Sequence, residues 1–416
     1  MGKVSVIRSV SRAPQLSSAH ARFLLVNIGH FLNHFFMLIF STVAALALVR
    51  EWGMGYAELI PYATPGFIAY ALCTWPSGWL ADRWSRDAML TIFFIGIGLS
   101  SAATAVAQSP LQIALGLLFI GIFAAIYHPV GIAMVIEGRA RTGIPLAVNG
   151  IFGNLGVASA ALITGFLIDN AGWRSAFVWP GLLSVVIGFG HYWLVTRTPG
   201  KPVAPSERSA NGRGAELAFD RQLMIRVLAV VFFSTAIGGL IFQTTTFSLP
   251  KVFDERLTGL ALSATAVGWY AFIVFSIAAI GQLIVGFLID RFSVRPIFVA
   301  VVTAQAALFA LMPGLTDWNA VVVSVLFMLA VFGQIPINDV LVGRITRSGW
   351  RSRVLALRYI LTFSISATAI PIIAWVYGRW GFDMLFSLMA AAAALIFVSV
   401  LMLPRVRPAA AFVTAE

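Results

Sequence analysis

Twelve apolar runs of membrane-spanning length, separated by short breaks rich in charge, Gly or Pro, leave this chain few ways to fold. They fall at about Phe23 to Val49, Tyr56 to Ala81, Met89 to Ala107, Leu111 to Ile136, Ile144 to Ile168 and Trp173 to Val195. The second set runs over Met224 to Leu249, Ala264 to Ile289, Pro296 to Leu315, Asn319 to Val342, Val354 to Tyr377 and Phe382 to Leu403. Hydrocarbon offers backbone N–H and C=O groups no partner, so each run must close its hydrogen bonds internally as a helix. The predicted fold class is an all-α membrane protein with twelve transmembrane helices in two pseudo-symmetric six-helix bundles. Composition agrees, since 60% of the 416 residues are hydrophobic and 11% charged, against about 45–50% and about 25% in soluble domains. Disorder and an ordinary soluble enzyme are excluded.

A formal charge of +12 would suggest nucleic acid as the partner of a soluble chain. In a membrane protein Lys and Arg mark the cytoplasmic side instead, and no nucleic-acid partner is expected. With both termini inside, the inner side collects 23 Lys and Arg, among them Lys3, Arg22, Arg83, Arg86, Arg291, Arg344 and Arg407, and the outer side keeps only Arg50, Arg174, Lys251, Arg256 and Arg379. The expected location is a bacterial inner membrane, multi-pass, with both termini cytoplasmic. Thr196 to Arg221 is rich in Pro, Gly, Ser and charge, the composition of a solvated linker. The expected organisation is a tail over 1–22, a bundle over 23–195, a linker over 196–223, a second bundle over 224–403 and a tail over 404–416. The lone Cys73 excludes a disulfide framework and a Cys-based metal site. The first apolar run is too long for a signal-peptide core and reads as a retained span.

Internal repetition supports the same division. Gly78-Trp79-Leu80-Ala81-Asp82-Arg83 at the inner end of span 2 recurs as Gly286-Phe287-Leu288-Ile289-Asp290-Arg291 at the inner end of span 8. A third copy, Gly165-Phe166-Leu167-Ile168-Asp169, closes span 5 on the outer side, as expected if each half holds inverted three-helix repeats. That arrangement is the architecture of a secondary transporter.

The loop after span 2, Gly78-Trp79-Leu80-Ala81-Asp82-Arg83-Trp84-Ser85-Arg86, resembles the G-x-L-A-D-R-x-G-R signature of the major facilitator superfamily, with Ser85 where the signature has Gly. The resemblance covers Phe23 to Leu403. It implies alternating access between two bundles, with Gly78, Asp82, Arg83 and Arg86, and their second copy Asp290 and Arg291, as gating loops. It also implies that Asp82 meets the N-terminus of span 11, beside Arg351 and Arg353, where the helix dipole favours a carboxylate. Two departures stand out: span 4 lacks the arginine frequent in proton-coupled members, and span 5 lacks the Gly-Pro pair of the drug antiporters. Tyr127-His128-Pro129-Val130-Gly131 and His30-Phe31-Leu32-Asn33 resemble elements of the fosmidomycin-resistance-like subgroup, which implies export of a small compound.

Ionisable groups inside a span are costly and mark function by default. On span 1, Asn27, His30 and His34 share one helical face. Counted at the helical rise, His30 lies about 12 Å from the inner end and His128 about 14 Å from it on span 4. The two histidines are therefore expected to face each other, able to carry a coupling proton or to bind an anion, or else to be neutral packing residues. Pro129 frees a backbone carbonyl near Ala125 and lets span 4 bend. Asn149 and Asn154 on span 5 and Gln243 on span 7 complete the candidate solute and proton site; Gln243 could instead satisfy a kinked backbone. Asp339 reads as the partner of Arg344 or Arg358. No cofactor is expected, and three histidines without a nearby intramembrane carboxylate argue against a metal site.

No G-x-x-x-x-G-K-[ST] loop is present, so direct ATP use is not expected. The absence of Asp and Glu from the candidate cavity argues against a cationic solute. The expected function is a secondary transporter moving a small neutral or anionic organic solute together with protons, as an efflux system, and acting as a monomer in the lipid bilayer. Alternatives are an uptake permease for a small carboxylate and a transport-incompetent receptor or scaffold; no constellation for a membrane enzyme is found.

Overall fold

The computed structural model describes residues 18–139, 142–198, 221–345 and 348–403. Nearly all of the expected linker and both expected tails lie outside the described residues, as do the side chains of Arg344, Arg347, Arg351, Arg353 and Arg358.

Among the described residues every regular element is helical. Helix α1 (Ser18–Glu51) passes through a π-turn at Ala44–Leu48. Helix α2 (Thr64–Arg83) is led in by Tyr56–Leu59 and a 3₁₀ turn, Ile60–Ala63. The order continues with α3 (Arg86–Thr104), α4 (Pro110–Ile136), α5 (Gly143–Ala171) and α6 (Trp173–Arg197). It closes with α7 (Arg221–Arg256), α8 (Ala264–Arg291), α9 (Val294–Leu311), α10 (Asp317–Ile345) and α11 (Ser348–Leu401).

Ten helices in the described residues are long and apolar enough to cross a membrane, two fewer than the twelve runs of the sequence. Both differences have local causes. Span 2 is divided by the 3₁₀ turn at Pro61, and α2 itself carries Pro76, Gly66, Gly78 and the Asp82-Arg83 pair. Spans 11 and 12 are two helices that follow directly on each other across a kink at Gly381, whose φ of 71° is open to glycine at little cost, and they share the label α11.

Lipid is as apolar as a leucine side chain, so these helices associate through close packing and interhelical hydrogen bonds rather than hydrophobic burial. Glycines make the contacts. The face of Gly156 on α5 rests on the backbone of Phe31 on α1, and Gly66 on α2 meets Gly121 on α4. Gly165 on α5 meets Ala264, and Gly268 on α8 meets Ala161, which joins the first six spans to the later ones.

The two ends of the molecule differ. At the end carrying Asp169, the Asp169 carboxylate crosses from α5 to the start of α8. It accepts from the backbone N of Ala264 (3.2 Å), the backbone N of Thr265 (2.7 Å) and Oγ1 of Thr265 (2.5 Å). Nearby, Tyr56 packs edge-on against Tyr377 at 5.3 Å, and Arg50 lies 3.7 Å from Asp254. That end is closed.

At the opposite end, Asp82 is exposed and bonds to Arg86 (2.9 Å), which also reaches Glu137 (3.2 Å). These bonds tie α2, α3 and α4 to one another within the first half. Gly78 sits against Pro129, where a β-carbon would lie 3.0 Å from the proline's own. Arg83 lies over the ring of Trp79 at 4.4 Å and Arg291 over Phe287 at 3.9 Å, while Asp290 is exposed. At the start of span 11, where the partner of Asp82 is expected, the side chains of Arg351 and Arg353 lie outside the described residues.

Candidate functional site

Helix α4 is built to break in its middle. Pro129 cannot donate to the carbonyl four residues back, and the helix is interrupted between Ala124 and Tyr127, the expected place. The break turns Tyr127 and His128 toward α1, whose His30 and His34 stand one turn apart on the facing side.

The three histidines form one cluster. The rings of His30 and His128 meet edge-on at 5.3 Å, those of His34 and His128 at 5.5 Å, and those of His30 and His34 at 5.0 Å. A ring nitrogen from each lies within 4.8 Å of the others. By distance these nitrogens are close enough to share a metal ion, but the set contains no carboxylate or thiolate to offset a divalent charge.

Asn149 organises the cluster from α5. Its backbone carbonyl accepts from His30 Nδ1 at 2.7 Å, and its side-chain amide donates to Asn27 Oδ1 (3.0 Å) and to the Tyr127 hydroxyl (2.8 Å). Tyr127 donates in turn to the carbonyl of Val26 at 3.0 Å, and Asn27 to that of Phe23 at 2.8 Å. Gly153, one turn beyond Asn149, leaves room for the His30 ring. Pairing of this kind offsets the cost of burying polar groups in apolar surroundings.

The structure thus gathers Asn27, His30, His34, His128 and Asn149 around Pro129. It places Asn154 and Gln243 elsewhere. Asn154 bonds across the halves to Gln282 of α8 at 3.1 Å, and Gln243 is buried on α7 with its amide nitrogen unpartnered among the described residues. Asp339 has a partner, but the arginines expected for that role have side chains outside the described residues.

Four further residues complete the site. Asn33 Nδ2 lies 3.2 Å from the Tyr70 hydroxyl and 3.4 Å from His128 Nε2. Tyr127 stacks on His30 at 4.9 Å. Phe363, from the far half of the chain, packs on Tyr70 at 4.9 Å and on His128 at 5.3 Å. The sequence carried one signal for these: Tyr127 stands beside His128, and Asn33 beside His34. Tyr127→Phe should lower folding stability by about 1–3 kcal/mol, because it leaves a hydrogen of the buried Asn149 amide without its acceptor, while the Val26 carbonyl keeps its bond within α1. Reversible denaturant unfolding in detergent measures it; an unchanged midpoint would show that the hydroxyl contributes nothing.

The second half repeats this scaffold with different chemistry. Tyr127 occupies the space over Gly29, and Gln334, likewise two residues before a proline (Pro336), occupies the space over Gly238. Around Gln334 are Gln305 (2.9 Å), the Ser234 carbonyl (3.3 Å) and Asn338, which accepts from Ser234 Oγ at 3.1 Å. These groups are amides and a hydroxyl, so among the described residues the titratable cluster belongs to the first half.

A separate cleft of about 480 Å³ is lined by Phe31, Phe35, Phe166, Trp179, Leu183 and Trp269, among others. Its lining, from α1, α5, α6 and α8, is almost wholly apolar and includes none of the histidines.

A multi-pass helical bundle with a polar, titratable cluster at mid-span has the architecture of a membrane transporter rather than an enzyme. The chain belongs to the Major Facilitator Superfamily, whose family model matches residues 26–260 and 231–416.

Relatives include a gallate transporter of Pseudomonas putida, 24% identical over 277 residues, covering 59% of this chain and 60% of that one. A 4-hydroxybenzoate transporter, PcaK of Pseudomonas aeruginosa, is 26% identical over 302 residues, covering 66% and 65%. An MFS-type efflux pump of Mycolicibacterium smegmatis is 30% identical over 243 residues, covering 58% and 53%. The chain therefore spans between 53% and 65% of the length of these curated relatives. Among solved structures, a bacterial homologue of the human lysosomal transporter Spinster, in an inward-facing and unoccupied conformation, superposes with a TM-score of 0.72 at 15% identity. That match covers 95% of this chain and all of the other, and it establishes the fold.

Proposed function

We propose that the protein is a secondary transporter that carries a small organic acid, an aromatic monocarboxylate first of all, together with a proton by alternating access. The observation that carries the reading is the His30, His34 and His128 cluster, whose polar partners among the described residues, beyond one another, are an asparagine amide and a backbone carbonyl, with two phenol rings packed beside them. None of these is a fixed charge. A carboxylate entering a dry, low-dielectric site needs a countercharge, and a proton taken up by an imidazole is the one this cluster supplies.

Proton and anion then move as one neutral load. Obligatory co-binding favours symport, so uptake under an inward proton gradient is the preferred direction. Efflux, the direction expected from the sequence, requires the two to bind in alternation; the efflux-pump relative favours it. Aromatic acids come first because rings line the site (Tyr70, Tyr127, Phe363 and the histidines) and because two relatives are named for gallate and 4-hydroxybenzoate. The gating role of Gly78, Asp82, Arg83, Arg86, Asp290 and Arg291, the two-bundle division, the monomeric state and the inner-membrane location belong to the same proposal.

A one-to-one load has no net charge, whereas a single uncompensated charge would feel about 2.3 kcal/mol per 100 mV. Uptake of 4-hydroxybenzoate into proteoliposomes should therefore follow an imposed pH gradient and ignore an imposed potassium-diffusion potential. Protein-free vesicles correct for passive permeation of the undissociated acid. Uptake driven by potential but not by pH would sink the symport reading. Failure of the folded protein to transport gallate, 4-hydroxybenzoate or a neutral sugar would favour the scaffold reading.

A further inference from the structure

The hydrogen-bond partners of the three imidazoles are not equivalent, and their chemistry fixes where each proton sits. A carbonyl oxygen only accepts, so His30 Nδ1, at 2.7 Å from the carbonyl of Asn149, carries its hydrogen. In the neutral ring Nε2 is then a lone pair. His34 Nε2, 3.2 Å away, must be the donor to it. His30 is thereby bonded at both nitrogens, and His34 keeps an unprotonated Nδ1.

His128 is different. The amide nitrogen of Asn33 faces its Nε2 at 3.4 Å; an amide nitrogen donates, so Nε2 accepts and the hydrogen of His128 lies on Nδ1. That Nδ1 is buried and has no partner among the described residues. An unpaired buried donor is costly, and a ligand that accepts from it removes the cost. The acceptor must be an oxygen, and an anionic one gains most.

Resting on the symport reading above, we propose that the three histidines divide the work. His128 donates its Nδ1–H to a carboxylate oxygen of the solute, His34 takes the coupling proton on Nδ1, and His30 is a positioning residue that stays neutral and holds His34 in register. The proton arrives from water on His34 Nδ1 and leaves to water by the same atom, so the load is held as an imidazolium–carboxylate pair while bound and departs as one proton and one carboxylate, with His34 returned to its neutral form. The other titratable groups facing the cluster are Tyr70 from α2 and Tyr127 from α4; α5 presents Asn149 and α11 presents Phe363, both uncharged.

Two readouts test this in the full chain. The first needs no transport: ring-nitrogen NMR of ¹⁵N-histidine-labelled protein in nanodiscs, assigned with single-histidine variants, reports the tautomers at high pH. The expected pattern is Nδ1–H for His30, Nε2–H for His34 and Nδ1–H for His128. An Nε2–H tautomer at His128 would overturn the assignment, whatever the protein carries.

The second readout is counterflow of labelled 4-hydroxybenzoate, which measures solute binding without net proton movement. An asparagine amide reaches about as far as Nδ1 and a glutamine amide about as far as Nε2. His128→Asn should keep counterflow within about threefold, while His128→Gln should lose at least tenfold, as expected when one buried partner is left unmade. His34→Gln, which keeps the donor to His30 but cannot supply the countercharge, should lose counterflow at least tenfold and with it accumulation driven by the pH gradient. Equal losses in both His128 variants, or pH-driven accumulation surviving in His34→Gln, would refute the division. If the wild-type protein exchanges no acid at all, the symport reading fails and the solute role of His128 falls with it, while the tautomer pattern is judged separately by NMR.

Discussion

Gly153→Ala is expected to cut proton-coupled transport by about a hundredfold, the scale of loss that a misplacement of roughly 1 Å brings to a positioned group. A β-carbon on Gly153 would stand 2.6 Å from Cε1 and 2.7 Å from Nε2 of the His30 ring, closer than carbon and nitrogen tolerate. The ring has nowhere to retreat: it is stacked on Tyr127, bonded to the Asn149 carbonyl and in contact with His34. The overpacking itself costs about 1–3 kcal/mol, so the variant should still fold and insert. Gly150→Ala, on the same helix with nothing within 4 Å of the new methyl group, is the matched control. Equal transport by the two variants, each checked for folding by size-exclusion profile and thermal midpoint, would show that the His30 ring position does not matter.

Asp169→Ala is expected to open the end of the molecule that the structure shows closed. The substitution removes three hydrogen bonds that the carboxylate accepts from the first residues of α8, together with its attraction to that helix's positive end. Charge-assisted bonds of this kind contribute about 1.5–3 kcal/mol each where desolvated, and less here because Asp169 is exposed. A net change near 1.4 kcal/mol already shifts the ratio of closed to open tenfold. Spin labels at Gln108→Cys and Leu262→Cys, both exposed near that end, would report it as a new long-distance population once Cys73 is replaced by serine. An unchanged distance distribution would mean that the glycine contacts of α5 and α8 hold that end closed without the carboxylate. Asp169→Asn keeps one acceptor without the charge and should fall between.

Much of this was legible in the sequence, for physical reasons that also explain the gaps. The spans could be read because hydrocarbon allows only helices, and the meeting of His30 with His128 followed from their matching depths on adjacent helices. Tyr70 and Phe363 could not be read, because in an apolar helix an aromatic looks the same whether it faces lipid, a neighbour or a site. Asn154 shows the converse: a polar residue on the right helix, but five residues beyond Asn149 and so about 140° around it, lies at the seam between the halves instead of in the cluster. The third Gly-to-Asp repeat signalled an inverted relationship, but its partner, the start of α8, is remote in sequence and had to be seen in space.

The paired scaffolds of Tyr127 over Gly29 and Gln334 over Gly238 have a consequence for redesign. On the proposed reading the proton is handled by the histidines of the first half, and Gln305, Gln334 and Asn338 carry none that titrates near neutrality, so substitutions confined to the second scaffold leave the titratable groups as they are.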